Sequence, residues 1–120
     1  MARTIDGRSI AAALDEETAG DAAELFAGWG IKPGLAVVLV GHDPASEVYV
    51  GRKVRACRRV GISSFEHRLP AATSQDELLA QVGQLNSDAR VHGILVQVPL
   101  PGHIDAGVVL GAIDPAKDVD

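Results

Sequence analysis

Apolar positions recur along this chain with two different rhythms. From Arg8 to Trp29 they fall at Ile10, Leu14, Leu25, Phe26 and Trp29 with charged residues between them, the spacing of an amphipathic helix. Gly30 and Pro33-Gly34 end it. Leu35 to Val40 is an unbroken apolar run rich in β-branched side chains, which predicts a strand covered on both faces, as in a parallel sheet. Asp43-Pro44 then supplies a cap and a first-turn proline for a helix running to Val60, with Arg58 and Arg59 in its last turn and Gly61 just beyond. Ile62 to Leu69 predicts a weaker, edge-like strand. Ser74 followed by Glu77 is a capping-box pattern, and Leu78, Leu79, Val82 and Leu85 follow at helical spacing. Val91 to Val98 is the third predicted strand. Asp105 opens a short helix through Val108, Val109 and Leu110, and the tail from Asp114 to Asp120 is polar.

Strands alternating with helices predict an α/β fold of three layers, a parallel sheet flanked by helices and joined by right-handed crossovers. In such sheets ligands bind outside the carboxyl ends of the strands. Gly41-His42-Asp43 follows the first strand and Gln97 to Pro101 follows the third, so both loops emerge at that edge. Tyr49 and Lys53, four residues apart on the helix that starts there, share one face about one turn apart. The expected buried stripe of that helix is Val50, Val54 and Cys57, which leaves Tyr49 and Lys53 about 100° around it, at the margin of the core. An aromatic ring, an amine and the Gln97 carboxamide are thus delivered to one sheet edge. Each also has a plainer reading. A helical lysine is ordinarily solvated, and Tyr49 alone reads as a half-buried packing residue with a wet hydroxyl. Gln97 must find hydrogen-bond partners or cost about 1 to 3 kcal/mol, and backbone alone would satisfy it.

The 120 residues suit one domain, 1–120, because a chain of this size buries roughly two thirds of its unfolded surface. A formal net charge of -5 and a pI near 5.2 argue against a nucleic-acid footprint, which needs clustered Lys and Arg. The lone Cys57 excludes an internal disulfide framework and a cysteine-clustered zinc site, and fits a reducing compartment. His42, His67, His92 and His103 have no metal-ligand spacing, so no metal is expected. Met1 is followed by Ala2-Arg3-Thr4 rather than an apolar signal region, and no apolar run is long enough to span a bilayer; the expectation is a cytoplasmic, soluble protein without membrane partners. No serine sits in a nucleophile-elbow pattern. Gly28-Trp29-Gly30 meets Pro33 where a dinucleotide fingerprint needs its third glycine, and it precedes a strand, so no cofactor-binding residues are expected in this chain.

The stretch from Gly41 to Lys53, continuing through Ala56-Cys57 to Val60-Gly61-Ile62, resembles the bifunctional methylenetetrahydrofolate dehydrogenase/methenyltetrahydrofolate cyclohydrolase family. That family carries a glycine, then Asp-Pro-Ala-Ser, a tyrosine, and a lysine four residues later. The resemblance continues from Glu77-Leu78-Leu79 through Leu85-Asn86-Ser87-Asp88 to Gly93-Ile94-Leu95-Val96-Gln97-Val98-Pro99-Leu100-Pro101. Asp114-Pro115-Ala116-Lys117-Asp118-Val119-Asp120 is similar to the Lys-Asp-Val-Asp motif that precedes the cofactor domain there.

The resemblance implies an isolated N-terminal catalytic domain, with the Rossmann-like domain that binds NADP or NAD absent from this chain. It implies a full-length enzyme, a homodimer, whose substrates are tetrahydrofolate derivatives. That enzyme oxidises 5,10-methylenetetrahydrofolate with NADP and hydrolyses the 5,10-methenyl product to 10-formyltetrahydrofolate. On the same match Lys53 is the key amine, Gln97 its hydrogen-bonding partner and Tyr49 the ring that stacks on folate. Val98, Pro99 and Leu100 line the substrate, Asp120 grips the pterin, and Val98-Pro99 is a candidate cis bond. Positive charge on the methenyl substrate favours a neutral amine beside it, which can serve as general base toward water. Two readings stay open: a domain that retains cyclohydrolase chemistry, and a truncated module without dehydrogenase activity that at most binds folate weakly.

Overall fold

Seven elements follow one another in the computed structural model, which describes the backbone of residues 7–119 and the side chains of 10–119. They are α1 (Gly7–Trp29), β1 (Gly34–Val40), α2 (Pro44–Val60), β2 (Ser63–Leu69), α3 (Gln75–Ser87), β3 (Gly93–Val96) and α4 (Ala106–Gly111). The strands form one parallel sheet in the order β2-β1-β3. β1 is therefore central, which is why its sequence is apolar at every position. Ala36, Val38 and Val40 face one layer with Ile94 and Val96, packed on Leu78, Val82 and Leu85 of α3 and Val109 of α4. Val37 and Leu39 face the other layer with Leu95, against Val50 of α2. The three-layer α/β reading is met.

Each helix after α1 begins where the sequence places a cap. The Asp43 carboxylate accepts from the Ser46 N–H at 2.9 Å, Ser74 accepts from Glu77 at 3.1 Å, and Asp105 accepts from Val108 at 3.3 Å. Gly61, at φ 80°, closes α2 in the left-handed conformation open to glycine.

Two boundaries depart from expectation. β3 is four residues long rather than running from Val91 to Val98. The Val91 N–H turns to Asp88 O at 3.0 Å, closing a turn instead of a ladder. At the other end Gln97 N still donates to Val38 O at 2.9 Å, but Pro99 and Pro101 have no N–H with which to continue. The Val98-Pro99 peptide is cis, matching the candidate bond. The polar tail is also more than a tail. Lys117 O accepts from Ile94 N at 2.7 Å and Asp118 bridges Ile94 in parallel, so the tail runs beside β3. Gly93 permits that approach, since a Cβ there would lie 2.8 Å from Val119 Cγ1.

α1 corrects a different expectation. Its large apolar residues do not seat it on the rest of the domain: Ile10, Leu14, Leu25, Phe26 and Trp29 are all exposed, Trp29 at 78%. Small side chains make the contact instead. Ala22 is buried and Ala19 half-buried beside Val60, at the end of α2, with an Asp15–Arg59 ion pair at 3.5 Å.

Candidate active site

Gly41, at φ 89°, turns the chain out of β1, and Asp43 then fixes the first turn of α2. Val50 and Cys57, both buried, set the rotation of the helix, with Val54 half-buried between them. That rotation leaves Lys53 half-buried on the side facing the end of β3. Its Nζ donates to Gln97 Oε1 at 2.7 Å, joining positions 44 residues apart.

Gln97 is 8% exposed, and its amide is engaged at both ends. Nε2 donates to Val98 O at 3.0 Å, which turns Oε1 toward Lys53. The opposite orientation would set Nε2 against the lysine donors and Oε1 against a carbonyl, so the two contacts together fix one arrangement. Among the described residues the amine has this one hydrogen-bond acceptor, which leaves its other N–H groups to meet a ligand or water. This is the junction of amine and carboxamide expected from the sequence.

The neighbouring residues divide. Tyr49 is 51% exposed and has no hydrogen bond among the described residues, which replaces the half-buried packing reading with an accessible ring. Val98 and Pro99 are exposed, forming an apolar lip after β3, whereas Leu100 is half-buried and packs against the core. Asp120 lies outside the described residues. Cys57 is a core thiol whose burial pushes its pKa up, away from the thiolate that nucleophilic chemistry needs.

Sequence reasoning missed the struts behind this edge. His103 Nε2 meets Thr73 O at 2.7 Å, and Gln75 Oε1 accepts from Asp105 N at 2.7 Å. Together they tie the segment after Pro101 to the start of α3 across 30 residues, a pairing with no local signal. Ser46, 1% exposed, packs under the first turn of α2. Lys117 donates to Leu85 O at 3.2 Å and Asp88 O at 3.0 Å, satisfying carbonyls at the end of α3 while its backbone joins β3.

Two helix N-termini are occupied by their own caps. The N-terminus of α2, where a pyrophosphate would sit, already holds the Asp43 carboxylate. Ser74 fills the same position on α3. No group of three or more His, Cys, Asp or Glu residues is disposed to hold a metal ion among the described residues. No described helix is long and apolar enough to cross a membrane.

Residues 5–120 match the family model described as tetrahydrofolate dehydrogenase/cyclohydrolase, catalytic domain. The chain is 69% identical over 119 residues to bifunctional protein FolD 2 of Rhizorhabdus wittichii, covering 99% of this chain and 40% of that protein. It is 59% identical to bifunctional protein FolD of Cereibacter sphaeroides over the same share of each. Among solved structures it is similar to the bifunctional enzyme FolD of Campylobacter jejuni, with a TM-score of 0.93 and 45% identity over 96% of this chain and 40% of that one. The Trypanosoma brucei enzyme, complexed with NADP cofactor and inhibitor, gives a TM-score of 0.92 and 38% identity over 98% of this chain and 40% of that one. The chain thus spans about 40% of the length of these relatives.

Proposed function

Because this chain belongs to the tetrahydrofolate dehydrogenase/cyclohydrolase family, we propose that residues 1–120 form the folate-binding catalytic domain of an enzyme of one-carbon metabolism. The full-length enzyme oxidises 5,10-methylenetetrahydrofolate to the 5,10-methenyl cation and hydrolyses that cation to 10-formyltetrahydrofolate. NADP, with which the Trypanosoma brucei relative is complexed, would supply the hydride acceptor for the first of these reactions. Its pyrophosphate does not fit the capped helix ends described above, so its binding groups belong to the rest of that enzyme. We place the enzyme in the cytoplasm as a homodimer without a nucleic-acid partner; the acidic net charge of -5 and the lone reduced cysteine support this.

The observation that carries the reading is the 2.7 Å Lys53–Gln97 hydrogen bond beside an exposed aromatic ring. In the hydrolysis, water attacks the carbon bridging N5 and N10. Lys53, aimed by Gln97, takes a proton from that water as the C–O bond forms. The adduct's O–H then gives up its proton as the C=O forms and the C–N5 bond breaks, N5 takes up that proton, the formyl group stays on N10, and the proton held by Lys53 passes to solvent. Tyr49 stacks on the benzoyl ring and holds the bridging carbon in line with the amine. Val98 and Pro99 form the apolar wall opposite, Leu100 supports it from behind, and Asp120 accepts hydrogen bonds from the amino-pyrimidinone edge of the pterin.

The amine and amide meet within these 120 residues, which favours a catalytic domain over a module that only binds folate weakly. The test follows methenyltetrahydrofolate absorbance with and without the chain. Acceleration over buffer is expected, falling about 100-fold or more in Lys53→Gln. No acceleration by the unsubstituted chain would sink the catalytic reading. In the full-length enzyme, Lys53→Gln should remove hydrolysis far more completely than hydride transfer, and equal losses would make Lys53 a positioning residue.

A further inference from the structure

The chain between α4 and Val119 is pinned by two side chains that the reaction above does not use. Asn86, half-buried near the end of α3, donates from Nδ2 to Ala112 O at 2.9 Å and accepts the Asp114 N–H at Oδ1, also at 2.9 Å. Opposite demands at the two ends of one carboxamide fix its orientation. Lys117 N donates to Asp114 O at 2.8 Å and the Asp114 carboxylate accepts from Ala116 N at 3.0 Å, so residues 114–117 close as a turn. Lys117 then reaches back across the domain. Its Nζ donates to Leu85 O at 3.2 Å and Asp88 O at 3.0 Å, while its own carbonyl accepts from Ile94 N at 2.7 Å. The bridge between Asp118 and Ile94 is parallel, so this segment travels in the direction of β3, toward the end that carries Gln97.

We infer that Asn86 and Lys117 are positioning residues for the pterin: by anchoring residues 112–119 to α3 and β3, they set where the chain delivers Asp120, the next residue in sequence. The inference rests on the folate reading above, in which the Asp120 carboxylate accepts from the amino-pyrimidinone edge. Paired hydrogen bonding of that kind is exacting in geometry, and a carboxylate on an untethered segment loses much of it to the entropy of ordering that segment. Lys117 also has a local use, since it satisfies carbonyls at the end of α3. Asn86 has none of that kind. Both of its contacts go to the backbone of the following segment, 26 and 28 residues on, and neither serves α3. Its role is therefore to hold what comes after α4.

The experiment titrates this chain with 5-formyltetrahydrofolate and with its analogue lacking the 2-amino group, which removes one of the hydrogen bonds to Asp120. The parent ligand should bind about tenfold tighter, the scale of a hydrogen bond to a charged group. That ratio should fall to within about threefold in Asn86→Ala and in Lys117→Met, whereas Lys117→Arg, which still donates to two carbonyls, should keep it. Either of the first two variants suffices, so one that fails to fold leaves the other to decide. Adding Asn86→Ala to Asp120→Ala should change affinity for the parent ligand less than about twofold, because the carboxylate through which the clamp acts is already gone. Clamp variants that weaken both ligands equally, or losses that add in the double variant, would confine Asn86 and Lys117 to stability and overturn the inference. A ratio near one in the unsubstituted chain would overturn it too, while leaving the folate site standing. Failure of both ligands to bind would instead overturn the folate reading, and this inference with it.

Discussion

The Tyr49 ring offers a ligand an open face, and among the described residues its hydroxyl has no partner to lose. Stacking, rather than hydrogen bonding, is then its contribution to affinity. Tyr49→Phe should keep folate affinity within about twofold, whereas Tyr49→Ala should lower it about fivefold or more, measured by calorimetry. A large loss in Tyr49→Phe would show that the hydroxyl, not the ring, is what folate meets. Lys53 and Tyr49 were legible because helical spacing couples four residues, and the resemblance supplied their chemistry. The orientation of Gln97 was not legible. It depends on a carbonyl one residue on and an amine 44 residues back, and only folding brings the two together.

Among the elements, α2 carries the site and depends on its cap. Asp43→Ala removes the acceptor for Ser46 N and should cost about 1 kcal/mol in a denaturant titration. A change near zero would mean that the Pro44 start and the buried face suffice. At the end of α3, the hydrogen bonds from Arg90 hold the Asp88 carboxyl down from its ordinary 3.8 to about 2. A carboxyl depressed in the folded state adds stability that is complete above its unfolded value and fades as pH falls. The melting-temperature gap between the unsubstituted chain and Asp88→Asn should therefore close between about pH 4 and about pH 2. A gap constant across that range would remove the ionic contribution. Caps were readable because they are local: Asp43, Ser74, Asp105 and Gly61 each act within a few residues. β3 was overestimated because apolar character continues past the last residue that can donate to a ladder.

For the molecule as a whole, the telling surface is α1. Ile10, Leu14, Leu25 and Trp29 occupy an arc of about 100° on the helix and are exposed among the described residues. Exposed apolar patches of this kind mark contact surfaces. The 120-residue chain should self-associate and bind a hydrophobic dye, and Leu14→Glu with Trp29→Glu should reduce both. A strict monomer across a wide concentration range in sedimentation, with no dye binding, would count against this. The sequence showed that α1 has an apolar face, since periodicity needs no partner. It could not show that alanines, rather than that face, seat the helix on α2.

β1 contributes no side chain to the site, yet both halves of the site take their position from it. Gln97 hangs on β1 through its N–H to Val38 O, and α2 rests on β1 through Val50 against Val37 and Leu39. Val37 and Leu39 therefore act as shims: their bulk sets how far the amine stands from the amide. The 2.7 Å contact on which the proposed hydrolysis depends is thus calibrated by the thickness of two buried alkyl groups.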